Sequence, residues 1–169
     1  MATIGLFYGS SMGNTKDAAL QIQAAWGGDE VAVGNIAGVT ADDLEKFDLL
    51  ILGTSTWGFG DWQDDWAGAR DELGKVNWQG RRVALFGLGD QYGYADTFVD
   101  AMGLLYEMLT EQGAQVIGAW AGQDYDFESS CAHRDGCFVG LALDADNQAE
   151  LTAPRIQQWI EQLKGALVS

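Results

Sequence analysis

The sequence predicts a single α/β domain in which a parallel sheet of five strands is covered by helices on both faces. Short, nearly unbroken apolar runs alternate with amphipathic helical stretches, as expected when strands are buried on both sides. The chain has 169 residues, a length that suits one domain spanning 1–169, and no linker, repeat or low-complexity segment divides it. Hydrophobic residues make up 47% and there is one proline, so a full-sized core can form.

The elements follow in order. TIGLFY (3–8) reads as a buried strand. NTKDAALQIQAAW (14–26) reads as a helix with Ala18, Ala19, Ile22 and Trp26 on one face. VAVGNI (31–36) is a weaker strand and DLLILG (48–53) a strong one. Residues 61–73 form a helix with Trp62, Trp66, Ala69 and Leu73 inward, and RVALFGLG (82–89) is the fourth strand. Residues 96–113 form a helix with Phe98, Met102, Leu105 and Leu109 as its apolar stripe, stopped by Gly113. QVIGAW (115–120) is the fifth strand. Residues 152–167 close the chain as a helix capped by Thr152, with Pro154 in its first turn. Segment 121–150 breaks the rhythm. It is rich in Asp, Gly and Ser and contains CFVGLAL (137–143), an extra strand, which marks it as functional or inserted.

Aspartate and glutamate total 25 against 9 lysines and arginines, a formal charge of -16. That balance argues against nucleic acid or anionic membranes as partners. It suits docking onto a basic protein face, although solubility or a salt-rich host would also account for it. The N-terminus has neither the basic region nor the apolar length of a signal peptide, so a soluble, cytoplasmic protein is expected. Cys131 and Cys137 flank His133. Unpaired thiols are favoured over a disulfide or a metal site, which would need further ligands.

In an open α/β sheet, ligands sit beyond the carboxyl ends of the strands. GSSMGNT (9–15) lies at such an end and opens a helix, where unpaired N–H groups favour an anion. It lacks the lysine of a Walker loop and the spacing of a dinucleotide fingerprint. A phosphate site and a plain strand-to-helix turn both fit the stretch taken alone. The next carboxyl-end loops are TSTWGFGDW (54–62) and GDQYGYADTF (89–98), and each carries glycines and an aromatic ring, Trp57 and Tyr94. Such rings are well placed to stack on a flat cofactor.

These three segments, with GLGDQYGYADTFVDAMG (87–103) and FVGLALDADNQ (138–148), make the chain resemble the long-chain flavodoxins from residue 3 to about 167. The resemblance implies strand order 2-1-3-4-5 with an insertion in the last strand; flavodoxin is itself the standard example of that order. It implies non-covalent FMN. The phosphate would lie in Ser10, Ser11, Met12, Gly13, Asn14 and Thr15, with Met12 replacing the family's usual hydroxyl residue. Ser55 and Thr56 would sit beside the ribityl and phosphate, Trp57 and Tyr94 would flank the ring, and Gly58 would face the flavin N5. Gly89, Asp90, Thr97 and Phe98 would line the pyrimidine side, with Asp146 near the ribityl chain.

The function so implied is a low-potential one-electron carrier that shuttles between semiquinone and hydroquinone, an electron-transfer protein and not an enzyme. Its partners would be basic redox proteins, a flavodoxin reductase and an electron acceptor, met in transient complexes by a monomer. The clusters Asp61, Asp64, Asp65, Asp71, Glu72 and Asp124, Asp126, Glu128, Asp135, Asp144, Asp146, Glu150 would orient the flavin edge toward them. A quinone reductase of related fold would need open space over the ring, which Trp57 and Tyr94 would fill. A receiver domain would need acidic residues after the first strand, and GSSMGNT has none.

Overall fold

The computed structural model describes residues 3–9, 13–27, 30–56, 64–121 and 125–168. Its main sheet is built from β1 (Ile4–Tyr8), β2 (Val31–Asn35), β3 (Leu49–Ser55), β4 (Arg82–Leu88) and β5 (Gln115–Ile117), in the order β2-β1-β3-β4-β5 and parallel throughout. Helices α1 (Asn14–Trp26), α2 (Ala41–Glu45), α3 (Asp64–Lys75) and α4 (Asp100–Glu111) make the crossovers. Right-handed crossovers put α1, which leads back to the edge strand β2, on one face and the helices leading the other way on the opposite face. Beyond β5 come a two-stranded antiparallel ribbon, β6 (His133–Arg134) and β7 (Cys137–Phe138), then β8 (Leu141–Leu143) and α5 (Ala149–Val168). Helix α5 packs beside α1.

The fifth position in the sheet is shared. β5 pairs with Arg82–Ala84 of β4, and β8 pairs with Phe86–Leu88 of the same strand, both parallel. The chain leaves the sheet after Ile117, makes the ribbon, and returns to finish the strand, which is the expected insertion. The expected strand 115–120 ends early because Gly118 turns with φ 84, where Leu163 and Trp159 would meet any Cβ at 2.8 and 3.0 Å. Trp120 then bridges antiparallel to Phe138. The expected strand 137–143 is two strands. Gly140 passes between them against the backbone of β4, so close that a Cβ would lie 2.1 Å from the Leu85 carbonyl oxygen.

Two helix starts differ from the sequence reading. Helix α4 begins at Asp100 and not near 96, because Thr56 Oγ1 accepts the Ala101 N–H at 2.8 Å and caps the helix from a neighbouring strand. Helix α5 begins at Ala149, so Thr152 lies inside it and is no cap, and Pro154 lies beyond the first turn. Its start is set by the preceding turn, where Gln148 N–H donates to the Asp144 carbonyl at 2.9 Å. The short helix α2 was not expected, although Thr40 and Asp43 form a capping box that the spacing T-x-x-D announces.

The expected apolar stripes are buried. Ala18, Ala19, Ile22 and Trp26 line α1; Trp66, Ala69 and Leu73 line α3; Phe98, Met102, Leu105 and Leu109 lead into and line α4; Ile156, Trp159, Ile160 and Leu163 line α5. Trp62 lies outside the described residues. The high tryptophan content has a structural use. Trp66, Trp78 and Trp159 are wholly buried, and their indole N–H groups donate to the carbonyls of Gly53, Leu73 and Gly118 at 2.7, 2.8 and 2.8 Å. Each ring thus adds a large apolar body without a buried orphan donor.

Candidate functional site at the carboxyl edge of the sheet

Four neighbouring strands end together. Tyr8 pairs with Gly53, Ser55 with Leu88, and Leu88 with Leu143. Each ladder is extended one step past its strand: Gly9 N–H donates to Gly53 O, Thr56 N–H to Leu88 O, and Gly89 N–H to Leu143 O, at 3.0, 2.8 and 3.1 Å. The loops after β1, β3, β4 and β8 therefore rise from one edge in fixed register. Of the expected site residues, Gly13, Asn14, Thr15, Ser55, Thr56, Gly89, Asp90, Tyr94, Thr97, Phe98 and Asp146 are described, in or beside these loops. Ser10, Ser11, Met12, Trp57 and Gly58 lie outside the described residues.

Of the first loop, Gly13 takes φ 89 at the N-cap of α1 and supplies no side chain to cap it. Its carbonyl accepts the Asp17 N–H at 3.0 Å, so the helix opens at Asn14. Asn14 is half-buried and Thr15 is buried. The next cation, Lys16, is exposed.

At the end of β3, Thr56 is committed to the α4 cap. Ser55 is buried and its Oγ has no hydrogen-bond partner among the described residues; the same holds for Thr54 Oγ1. Strand alternation separates the two. Gly87, the partner of Thr54, faces Met102 of α4, so Thr54 points toward that helix and Ser55 toward the face covered by α1. A buried hydroxyl with no partner costs about 1–3 kcal/mol, and one on the α1 side of the edge suits a polar ligand there.

The loop after β4 folds around Asp90. Asp90 Oδ1 accepts N–H groups from Tyr92, Gly93 and the Asn147 side chain at 3.0, 2.7 and 2.8 Å. Burial pushes the Asp90 carboxyl up, but the bonds from Gly93, Asn147 and Tyr92 outweigh it, and its pKa lies below the ordinary value. Tyr94 is 37% exposed on this loop, and its N–H donates to Asp90 O at 2.9 Å. Gly89 is buried against Phe98 and Val99, where a Cβ would meet atoms at 3.1 Å. Thr97 is half-buried. The Phe98 ring is wholly buried among Tyr125, Phe127 and Phe138, with centroids 5.5–5.9 Å away. In this structure it anchors the insertion, and only its backbone could face a ligand.

Sequence reading missed the residues that bind this loop to the one after β8. Asp144 is fully buried and accepts five N–H groups, all from neutral amides: Gln91 N–H and Nε2 and Asn147 Nδ2 at Oδ2, and the N–H groups of Asp146 and Asn147 at Oδ1. Gln91 is also fully buried, and its Oε1 accepts the Asp126 N–H of the insertion. The amides of D-Q (90–91) and D-x-D-N (144–147) are the donors a buried carboxylate needs, but neither pattern tells which aspartate is buried. Asp146 is exposed, and its pKa is raised, by partial desolvation first and then by Asp90 and Asp144.

The steering clusters are corrected in two places. Asp144 is buried and cannot face a partner. Glu72 lies toward the far end of α3, where it accepts the Ala41 N–H at 2.9 Å and pairs with Lys75. Asp65, Asp126, Glu128, Asp135, Asp146 and Glu150 are exposed or half-buried; Asp61, Asp124 and the Asp64 side chain lie outside the described set. Cys131 and Cys137 are free thiols. Burial and then Asp100 push the Cys131 thiol up to about 12, so it stays protonated at neutral pH. Among the described residues, no helix is long and apolar enough to cross a membrane.

This edge has counterparts in known proteins. The sequence profile of the family described as Flavodoxin matches residues 6–159. A flavodoxin of Picosynechococcus is 51% identical over 167 residues, covering 98% of each chain. A flavodoxin of Synechococcus elongatus is 49% identical over 165 residues, 97% of each. The crystal structure of a Fusobacterium nucleatum flavodoxin bound to flavin mononucleotide superposes with a TM-score of 0.91 at 32% identity, covering 98% of this chain and 99% of that one. With its strand order, its split fifth strand and these relatives along nearly its whole length, the chain belongs to the flavodoxin family.

Proposed function

We propose that residues 1–169 form one FMN-binding domain that carries electrons singly between redox proteins and is not itself an enzyme. The observation that carries this reading is the buried, unpartnered Ser55 hydroxyl at the edge where α1 begins, in a chain of the flavodoxin family. When bound, FMN supplies one-electron chemistry, and the reading assigns this chain its lower-potential couple.

The chain's own residues bind, orient and exclude water. Ser10, Ser11, Met12, Gly13, Asn14 and Thr15 would hold the phosphate through backbone N–H groups and hydroxyls, aided by the positive end of the α1 dipole. Ser55 would give its hydroxyl to the ribityl–phosphate portion, with Thr56 beside it holding α4 in place. Trp57 and Tyr94 would cover the ring faces and keep water from them. The Gly58 carbonyl would accept a proton-bearing N5, since glycine lets that peptide turn at little steric cost. Gly89, Asp90, Thr97 and the Phe98 backbone would border the pyrimidine side, and Asp146 the ribityl chain. A protein of formal charge -16 disfavours further negative charge beside it, which lowers the second potential.

Partners of basic surface, a reductase and an acceptor, fit the exposed carboxylates. The complexes would be small and short-lived, with this chain acting as a cytoplasmic monomer of the long-chain type. Titrating the apoprotein with FMN, then reducing the complex stepwise, tests the reading. Tight binding and two separated one-electron steps support it. Failure to bind FMN, or one concerted two-electron step, overturns it. Association with a basic reductase should slow as salt rises, since steering is screened over about 8 Å at physiological ionic strength.

A further inference from the structure

We infer that Asp144, acting through Gln91, is the positioning residue that sets the Tyr94 loop against the flavin ring. The inference rests on the proposed seating of FMN beside that loop. Its observation is separate: a carboxylate with no exposure that spends all its accepting capacity on neutral N–H groups.

A buried carboxylate with no cation beside it is costly unless nearly every lone pair is met. Here Oδ2 takes both the backbone and side-chain N–H of Gln91, at 3.1 and 2.8 Å. Two bonds from one residue fix its backbone and its χ angles together. Gln91 Oε1 in turn accepts the Asp126 N–H, so the residue is held from the strand-β8 loop and from the insertion. Gln91 lies between Asp90, which folds the turn through Tyr92 and Gly93, and Tyr94, whose N–H closes on the Asp90 carbonyl. Asn147 Nδ2 bridges the two carboxylates, at 2.8 Å from Asp90 and 2.9 Å from Asp144. The insertion adds a second grip where Glu128 and Ser129 N–H groups donate to Ala95 O at 2.8 and 3.1 Å. The backbone of the Tyr94 segment is thus tied to a buried anchor.

Donor and acceptor can be exchanged to test this. Asp144→Asn leaves a side-chain NH2 facing the Gln91 NH2. Gln91→Glu sets a second carboxylate against the first. The double variant Asp144→Asn/Gln91→Glu restores one donor facing one acceptor between the side chains and keeps the total charge, while the Gln91 N–H and Asn147 Nδ2 still lose their acceptor. Apoprotein hydrogen exchange at Tyr92, Gly93 and Asp126 reads the loop directly. Dissociation constants for FMN and riboflavin read the ring end, since both carry the ring and only FMN carries the phosphate.

Each single variant should speed exchange at those amides and weaken FMN and riboflavin by about the same factor, roughly tenfold. The double variant should recover part of both losses, the share carried by the side-chain pair, because the Gln91 N–H and Asn147 Nδ2 still lack the carboxylate oxygen. Gln91→Ala is the milder control for folding, since its backbone N–H still reaches Asp144, and it should raise both constants while the apoprotein still unfolds in one cooperative urea transition. Unchanged flavin constants in folded Gln91→Ala, or a double variant no better than its parents, would overturn the inference. Tyr94→Ala separates the premise from the inference. If it leaves both flavins unaffected, the ring is not seated here; if it weakens both while Gln91→Ala does not, only the anchor fails.

Discussion

The ends of β3 and β4 are hydrogen-bonded neighbours, with Ser55 opposite Leu88, and they meet their polar groups in opposite ways. After β4, Asp90 and Asp144 together draw on Tyr92, Gly93, Gln91, Asp146 and Asn147. At the end of β3, two buried hydroxyls, on Thr54 and Ser55, have no partner among the described residues. The β4 side is finished before any ligand arrives. Of the two, only Ser55 lies on the face covered by α1, and it is left with capacity to spare. A site assembled this way has one rigid wall and one wall that the ligand completes.

The largest expected break in that contrast is Asp144→Ala. It removes the acceptor of five N–H groups, the two of Gln91 buried, and urea unfolding of the apoprotein should lose about 2–3 kcal/mol. Next comes Thr56→Val, which keeps shape and removes the acceptor of the Ala101 N–H. A loss of about 1–2 kcal/mol in the same assay is expected, comparable to deleting a helix cap. Ser55→Ala should behave in the contrary way. Removing an unsatisfied hydroxyl should leave the apoprotein unchanged or more stable by up to about 1 kcal/mol, while FMN binding weakens by about fivefold, measured by fluorescence titration.

The smallest effect is in pH dependence, where Asp90 and Asp146 should act oppositely. The folded pKa of Asp90 is depressed, so its contribution is present above the unfolded value near 3.8 and is lost as pH falls through the folded value. The folded pKa of Asp146 is raised, so the folded state holds the proton longer and stability is lost as pH rises from 3.8 through the folded value. Asp146→Asn should therefore slightly raise the neutral-pH melting temperature of the apoprotein, and Asp90→Asn should lower it.

Much of the architecture was legible in the sequence because it depends on patterns of local period. The buried strands and the stripes on α1, α3, α4 and α5 are read from apolar spacing alone. What was not legible depends on partners distant in sequence. The start of α4 is set by Thr56, 45 residues earlier, and the break at Gly140 by the backbone of Leu85. The same limit applies at the site. Glycines, hydroxyls and rings after the strands marked the loops, but nothing local distinguishes Asp144, which is buried, from Asp146, which is exposed. Counting both as surface charge was the natural reading of an acidic run. Phe98 belonged to a legible stripe, and its burial in the insertion's aromatic cluster depends on Tyr125, Phe127 and Phe138, far along the chain.

The central claim is that FMN completes one wall of this edge and finds the other already built. Residue-resolved hydrogen exchange of the apoprotein, with and without FMN, tests it most directly. The account predicts a large gain in protection at Asn14, Thr15 and the first turn of α1, and little change at Gln91, Tyr92, Gly93 and Asp126, already slow in the apoprotein. Fast exchange at those four amides until FMN binds, or no gain at Asn14 and Thr15 when it does, would contradict the account.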